Sequence, residues 1–351
     1  MSGAVGYYYK NRTPYSENYF LSFERQSGAN TVLTVSYIGS EGHRLITLLS
    51  ANPGNPALCL SVSQPSEVAP GSPVCGPFGE NGVYTTKAGV VINGTRRPLG
   101  NNFGSDSYFY NFGNSVYNSL QATAKHSTSR LSLLATYTYG KSLDMASNIQ
   151  EQLYPYDYKL RRAPSAFDLR HNFVASYRYE LPLEKLLGKG RLGLGWAVTG
   201  ITRYSSGLPV PLVDLNDNSL VGSNNQGVNS GGSDMPDFTP GNLEINHNPR
   251  NGQPYFNTSL FSLAPLGSPG TAARRFFYGP GMGNWDLALL KLTHFSESKV
   301  LEMRLETFNT FNHAQFFGPT SVNANISSTA FGQVVSAMPG RVVQLGAKFS
   351  F

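Results

Sequence analysis

The chain has 351 residues, of which only 14% are charged, whereas a typical soluble domain has about 25%. Much of its surface is therefore expected to face something other than water. No run approaches the roughly 18 consecutive apolar residues of a transmembrane helix, so helical spanning is excluded. The net charge of +6 is dispersed, with no lysine-rich arm and no basic helix, and no nucleic-acid partner is expected.

Short blocks in which apolar and polar residues alternate predict about nine β-strands. The clearest block is HNFVASYRYEL, residues 171–181, in which every second residue from Phe173 to Leu181 is apolar. The predicted strands, in chain order, are residues 18–25, 31–39, 116–126, 130–141, 171–181, 192–205, 286–295, 300–308 and 342–351. Tyrosine and phenylalanine recur near both ends of these strands, as in the aromatic girdles of membrane barrels, although ordinary cross-strand packing is the alternative for any single ring.

The links between the predicted strands alternate between short and long. The long links are residues 40–115, 142–169, 206–285 and 310–340. A soluble sandwich has no reason to keep all its long loops at one end, whereas an outer-membrane barrel has short periplasmic turns and long extracellular loops. The sequence therefore predicts an all-β, antiparallel transmembrane barrel segment in a Gram-negative outer membrane. Its long loops would be extracellular and its C-terminus periplasmic.

Cys59 and Cys75 are the only cysteines, and both lie in one segment rich in proline, glycine and serine. A loop disulfide in an oxidising compartment is favoured over two unpaired thiols. The six histidines are scattered without metal-ligand spacing, so neither a metal nor another cofactor is predicted.

Three pairs of adjacent arginines fall in long links: Arg96 and Arg97, Arg161 and Arg162, and Arg274 and Arg275. Guanidinium groups bind phosphate in a bidentate geometry, so the pairs are candidates for anchoring extracellular loops to lipopolysaccharide. Two alternatives stay open. The arginines could be solvated loop charges or partners of nearby acids such as Asp157, or they could line the entrance for an anionic ligand.

The segment FDLRHN invites a catalytic interpretation through Asp168, Arg170 and His171, but no nucleophile stands beside them in the sequence. We expect an ion-paired and hydrogen-bonded start to a strand instead, and no enzymatic activity. Glu302, Arg304 and Glu306 alternate along one strand and are predicted to form a charge ladder in the lumen.

Several motifs resemble the barrel of Oar-like TonB-dependent receptors of acidobacteria, in the same order along nearly the whole chain. They are NSVYNSLQATAKHSTSRLSLLATYTYGKSLDMAS, FDLRHNFVASYRYELP, GWAVTGITRYSSGLPV, GPGMGNWDLALLK and MRLETFNTFNHAQF. The resemblance implies an outer-membrane active transporter of about 22 strands with a plug in its lumen. Residues 1–351 would be its C-terminal part. The signal peptide, the plug and the segment that contacts the TonB complex would precede residue 1.

The resemblance also gives a role to the terminal strand VVQLGAKFSF. It looks like the signal that the barrel-assembly machinery reads, in which a glycine is followed by aromatic residues at alternate positions. Gly346, Phe349 and Phe351 fit this pattern, whereas Leu345 stands where a polar residue is usual.

Two function classes follow from the sequence. The first is TonB-dependent import of a ligand that the sequence does not identify. The second is a surface-exposed, adhesin-like or structural β-protein without transport activity.

Overall fold

The computed structural model describes residues 5–222 and 234–351. Nine long strands form one sheet, and each pairs antiparallel with the next along the chain. We number them β1 to β9: Tyr15–Ser27, Thr31–Ser50, Ser107–Ser127, Leu131–Asp144, His171–Glu180, Trp196–Ser205, Met282–His294, Val300–Phe308 and Val342–Ser350. All nine predicted strands are present, so the all-β antiparallel prediction is confirmed.

The remaining elements are short. The helices are α1 (Pro56–Leu60) and α2 (Glu184–Leu187), and the 3-10 turns are Tyr158–Arg161, Pro249–Asn251 and Thr258–Leu260. The short strands Gly6–Tyr7 and Ala163–Pro164 pair with β3 and β4, and two separate hairpins join Val83–Thr85 to Val91–Asn93 and Asp237–Phe238 to Phe261–Ser262. Within the two described ranges, the helices are all too short or too polar to cross a membrane.

The register of the strands separates two faces of the sheet. Because side chains alternate across a strand, residues paired across strands share a face. One row of paired residues runs from β2 to β6 through Val35, Ala122, Tyr137, Phe173 and Tyr204. The next row, on the opposite side, is Thr34, Thr123, Thr136, Val174 and Arg203. We call these sides the membrane face and the polar face.

Most buried apolar side chains lie in the long links rather than in the sheet. The largest buried cluster contains Phe256, Phe277 and Val322, from the third and fourth long links. On the strands, by contrast, Phe23 is 69% exposed and Leu345 is 80% exposed. A sheet that leaves its apolar face uncovered is stable only where the surroundings are themselves apolar, as in a bilayer.

Aromatic side chains mark both ends of the membrane face. Near the long-link end, Trp285 donates its indole N–H to the Tyr204 hydroxyl (2.9 Å) and meets the ring of Phe311 edge-on. At the short-link end, Trp196 begins β6, and Phe295 directly follows β7. Such rings are apolar with a polar edge, which suits the boundary between hydrocarbon and water.

The predicted alternation of link lengths is present, although the first long link is shorter than expected. The long links are residues 51–106, 145–170, 206–281 and 309–341. Strand β2 continues to Ser50 instead of ending at Gly39. Its register with β3 shifts twice between His43 and Thr47, and Arg44 has a positive φ of 54°. These irregularities break the alternation on which the sequence prediction depended.

The sheet is open. Among the described residues, β1 and β9 pair on one side only, and every residue of both strands is exposed. Each edge therefore presents a row of backbone N–H and C=O groups that could pair with a further strand.

The two faces should respond differently to the same substitution. Leu287 lies on the membrane face opposite Gly200 and Thr307, whereas its neighbour Ala288 lies on the polar face opposite Glu306. Leu287→Arg should destabilise the full-length protein in phospholipid vesicles by about 2–4 kcal/mol if the site lies near the bilayer midplane. Ala288→Arg is the matched control and should cost much less, because it meets Glu306. If urea unfolding showed the same decrease in the free energy of unfolding for both variants, this assignment of the two faces would be wrong.

Candidate functional site: the loop cap

The four long links pack against one another at one end of the sheet and form a body that we call the loop cap, residues 51–106, 145–170, 206–281 and 309–341. Its largest buried cluster joins the third and fourth links through Phe256 and Ala324. A second cluster joins the first link to Leu220 of the third, and Met145 and Leu153 of the second link pack on Leu49 at the end of β2. These long loops therefore have a core of their own.

A disulfide bond fastens the first link. Asn55 caps α1 by accepting a hydrogen bond from the Leu58 amide at 3.1 Å, and Cys59 on this helix is bonded to Cys75 with their Cα atoms 5.3 Å apart. Both cysteines are buried in the second cluster. This is the arrangement that the sequence favoured, and the two cysteines are 16 positions apart in the chain.

Arg274 and Arg275 form a buried ionic clasp between the second and third links. Arg274 pairs with Asp144 and Glu151 and also donates to the Met145 carbonyl at 3.0 Å, while Arg275 pairs with the other oxygen of Glu151. Both guanidinium groups and both carboxylates are at least 95% buried. A buried charge is tolerated only when it is paired and hydrogen-bonded, and these four groups pair with one another. Among the described residues, only the Nε atoms of the two arginines have no hydrogen-bond partner within the clasp.

Arg96 and Arg161 are buried as well. Arg96 donates to Asn81 (2.8 Å) and to the Asn52 carbonyl (3.0 Å), and lies 3.9 Å from Glu80. Arg161 ends a 3-10 turn and is only 2% exposed, and burial lowers the pKa of its guanidinium to about 10.

Only Arg97 and Arg162 are exposed among the six paired arginines. Arg97 donates to the Arg96 carbonyl at 2.6 Å, and Arg162 donates to Asn114 at 2.7 Å. The structure therefore places four of the six side chains, those of Arg96, Arg161, Arg274 and Arg275, in the interior of the loop cap. Arg96, Arg274 and Arg275 contact acids and carbonyls there. Asp157, the acid suggested by the sequence, caps its own 3-10 turn through the Lys159 amide instead.

Several carboxylates are buried where the first and third links meet. Asp217 accepts hydrogen bonds from the amides of Phe78 (3.0 Å) and Gly222 (2.9 Å). Burial raises the pKa of Asp217 to about 7, and the nearby carboxylates of Glu80 and Asp234 add to the shift. Across the described part of the chain, no group of three or more histidine, cysteine, aspartate or glutamate side chains is arranged to hold a metal ion.

A polar pocket of about 290 Å³ opens between the third and fourth links, and no motif in the sequence predicts it. His247 and Arg250 line it from one link, His313 and Phe316 from the other, and Tyr255 from its buried side. The Arg250 guanidinium lies 5.9 Å from the centre of the Phe316 ring. None of the described residues that line the pocket carries a carboxylate, so their side chains offer hydrogen-bond donors and a positive charge to a bound molecule.

Charged side chains lie on the polar face, where the ion pairs join residues of the same strand. Glu302 pairs with Arg304 on β8, and Arg178 pairs with Glu180 at 2.7 Å on β5. A groove of about 430 Å³ crosses this face between β4 and β8, and Arg178 and Glu306 are among its lining residues. All these charges lie on one side of the sheet, opposite the membrane face.

The segment FDLRHN begins β5 as an ion-paired unit. Asp168 is buried, binds Lys141 at 3.1 Å and accepts a hydrogen bond from the Tyr278 hydroxyl at 2.6 Å. Arg170 lies over the Tyr278 ring at 4.9 Å, and His171 is hydrogen-bonded to Tyr137 at 2.7 Å. The sequence could not identify Lys141 and Tyr278, because strand pairing and the third link bring them to Asp168.

The candidate assembly signal lies on the edge strand. Gly346 stands opposite Arg304, and Phe349 stands opposite Leu301. Phe349 is 52% exposed and contacts Phe295 and Phe351, and Phe351 is 90% exposed. The aromatic end of β9 is therefore accessible from outside the sheet.

An uncovered apolar face, an opposite polar face and a cap of long links at one end define a β-sheet of the outer-membrane barrel type. The chain belongs to the outer membrane beta barrel domain family, whose model matches residues 2–344. Membership of this family implies location in the outer membrane.

Among solved structures, the chain is similar to the outer membrane transporter YddB of Escherichia coli, with 12% identity and a TM-score of 0.49 over 100% of this chain. It is also similar to the siderophore receptor PirA of Acinetobacter baumannii, with 11% identity and a TM-score of 0.45 over 96% of this chain. A third similar structure is the FrpB iron transporter of Neisseria meningitidis, with 11% identity and a TM-score of 0.44 over 98% of this chain. The match covers 35%, 32% and 32% of those chains, so this chain spans about a third of their length. No curated protein matches it.

Breaking the ionic clasp should loosen the loop cap without unfolding the sheet. Arg274→Met leaves Asp144 without its guanidinium partner, and losing one partner of a buried ion pair typically costs about 3–5 kcal/mol. We expect faster proteolysis within residues 145–170 and unchanged heat-modifiable migration of the full-length barrel. Arg162→Met, an exposed neighbour, is the control. If both variants were equally protected from proteolysis within residues 145–170, the clasp would not be what holds the loop cap together.

The loop cap should lose stability as the pH rises towards 7. The carboxyl of Asp217 has a pKa of about 7 in the folded protein, whereas an unfolded aspartate has one of about 3.9. Its neutral form therefore contributes stability that is fully present below about pH 4 and is lost as the pH rises through about 7. The free energy of unfolding of the cap can be measured by urea unfolding at each pH in this range, followed by near-ultraviolet circular dichroism. It should decrease as the pH rises, and Asp217→Asn should reduce this dependence on pH. An unchanged slope in the variant would assign the dependence to another group.

Proposed function

We propose that this chain is the C-terminal barrel portion of a TonB-dependent, Oar-like outer-membrane transporter that imports a ligand still to be identified. The observation that carries the proposal is the combination of a membrane face, a charged polar face and a folded cap of long loops that contains a pocket. A structural barrel also has a polar interior, but it needs no pocket in its loops. The polar face and the pocketed cap suit a protein that admits and binds a molecule.

The open sheet supports the proposal that further strands belong to the same barrel. In hydrocarbon each unpaired backbone group costs several kcal/mol, so β1 and β9 need partners. Additional strands of the same protein are the simplest partners, and they would also enclose the polar face as a lumen. A plug and a segment that contacts the TonB complex are expected in the remainder of the protein.

We further propose that the loop cap is extracellular and that the short links and the C-terminus are periplasmic. Long extracellular loops and short periplasmic turns are the general pattern of outer-membrane barrels. Lipopolysaccharide would then surround the cap, and of the six paired arginines, Arg97 and Arg162 are the two with exposed side chains able to meet its phosphates. The pocket lined by His247, Arg250 and His313 is the candidate ligand site.

The transport proposal is tested by the energy dependence of uptake. Cells with and without the full-length protein are grown in a defined medium, and solutes lost from the medium are identified by mass spectrometry with and without a protonophore. We expect at least one solute to be depleted only by cells that have both the protein and an intact proton-motive force. Solute binding that persists unchanged with the protonophore would instead support the adhesin-like alternative.

The terminal aromatic residue should act on assembly rather than on stability. Because the Phe351 side chain is 90% exposed, Phe351→Ala removes little packing from the folded sheet. If the assembly machinery reads this residue, the variant should nonetheless accumulate at a markedly lower level in the outer membrane. Phe103→Ala, which removes an exposed phenylalanine from the loop cap, is the control and should accumulate normally. Equal amounts of the two variants would refute the signal.

A further inference from the structure

The short link between β5 and β6, residues 181–195, differs from the other short links in being both apolar and basic. Leu186 and Leu192 are 81% and 77% exposed. Lys185, Lys189 and Arg191 are exposed too, while the only acid in the link, Glu184, is already paired with Arg130 at 2.7 Å. Exposed leucines beside unpaired basic groups are typical of a segment that rests at a membrane surface. We call this segment the basic turn.

The basic turn folds back onto the membrane face of the sheet. Lys291 lies on that face, opposite Trp196 and Met303, and its ammonium group donates to the carbonyls of Arg191 and Leu194. The Trp196 indole N–H donates to the Leu192 carbonyl at 2.8 Å. Both contacts hold the turn on the side that faces lipid, not on the polar face.

A groove runs along the membrane face from the place where the basic turn is attached. Its volume is about 470 Å³, and it is lined mainly by apolar side chains: Trp196, Leu289, Met303, Leu305, Leu345 and Ala347. Gly346 and Arg304 also line it, and the charge of Arg304 is paired with Glu302. Lys291 also lines it, with its ammonium group 5.2 Å from the centre of the Trp196 ring. The groove is therefore apolar along most of its length and cationic at the end nearest the basic turn.

The positive charge at that end lacks an acidic partner. Within residues 5–222 and 234–351, neither Lys291 nor Arg191 forms an ion pair. The contacts of the Arg191 guanidinium are with Phe295, whose ring centre is 5.3 Å away and whose carbonyl accepts a hydrogen bond at 3.4 Å. A guanidinium group has five N–H donors, so most of them stay available to an anion.

We propose that the groove and the basic turn form a binding site for an anionic glycerophospholipid of the periplasmic leaflet. One acyl chain lies along the groove, and the head-group phosphate is held by Arg191 and Lys189, with the charge of Lys291 beneath it. An acyl chain matches the apolar lining, and a phosphate matches the unpaired cations. The choice of leaflet rests on the proposed orientation, in which the short links are periplasmic.

The site can be tested with photoreactive lipids in the full-length protein. The protein is reconstituted with phosphatidylglycerol that carries a diazirine on its acyl chain, or with the matched phosphatidylethanolamine probe, and labelled peptides are mapped by mass spectrometry. We expect peptides containing Met303 or Leu345 to be labelled about fivefold more by the anionic probe, since a basic residue near the membrane surface favours an anionic lipid by about this factor.

A double substitution, Lys189→Gln with Arg191→Gln, should reduce this labelling to the level of the phosphatidylethanolamine probe. It keeps the Arg191 backbone carbonyl that Lys291 binds, and heat-modifiable migration checks that the barrel is folded. The matched control is Arg25→Gln with Lys125→Gln, which removes two exposed cations from the same end of the sheet and should leave labelling unchanged.

Three results would overturn the proposal. Equal labelling by both phospholipid probes would exclude head-group recognition. Stronger labelling by a photoreactive lipid A would assign the groove to the other leaflet, and labelling that disappears as protein is added at constant lipid would indicate that a second copy covers the groove. None of these results depends on solute uptake, so the site can fail while the transport proposal stands.

Discussion

The two-residue period of the β-strand determines how this protein meets its surroundings. The clearest strands of the sheet have an apolar and a polar side, and the cross-strand register keeps each side continuous from β1 to β9. Strand β7 is less regular, with Lys291 on the membrane face and Leu290 and Leu292 on the polar face. A shift of one residue in any pairing would turn polar groups towards lipid. The burial of apolar side chains, which a soluble protein achieves in its interior, is supplied here by the bilayer.

The loop cap depends on a different balance of forces. Its links have little regular secondary structure, so their stability comes from a core of aromatic side chains, one disulfide bond and paired buried charges. Buried ion pairs contribute modestly to net stability but strongly favour one arrangement, because any other leaves a charge unpaired. The clasp of Arg274 and Arg275 thus specifies how the second and third links meet.

The sequence was sufficient to predict the strands, because the alternation of apolar and polar residues is a local property that can be recognised without knowing the fold. It failed at the distal part of β2, where two register shifts hide the strand. Nor did it indicate that the Arg274 side chain is buried, because its partners come from distant positions: Asp144 and Glu151 are more than 120 residues away from Arg274. Six scattered histidines gave no hint of a pocket, since His247 and His313 meet only when the third and fourth links fold together.

The two tryptophans also define the thickness of membrane that the sheet fits. Trp196 and the position paired with Trp285, Thr202, are six residues apart on β6, which corresponds to about 20 Å along the strand at about 3.3 Å per residue. Strand tilt shortens this span further along the bilayer normal, and the apolar band of such barrels is about 25 Å tall. Lipids around this part of the barrel would therefore be compressed in a bilayer of ordinary thickness, and the protein would partition preferentially into thinner membrane.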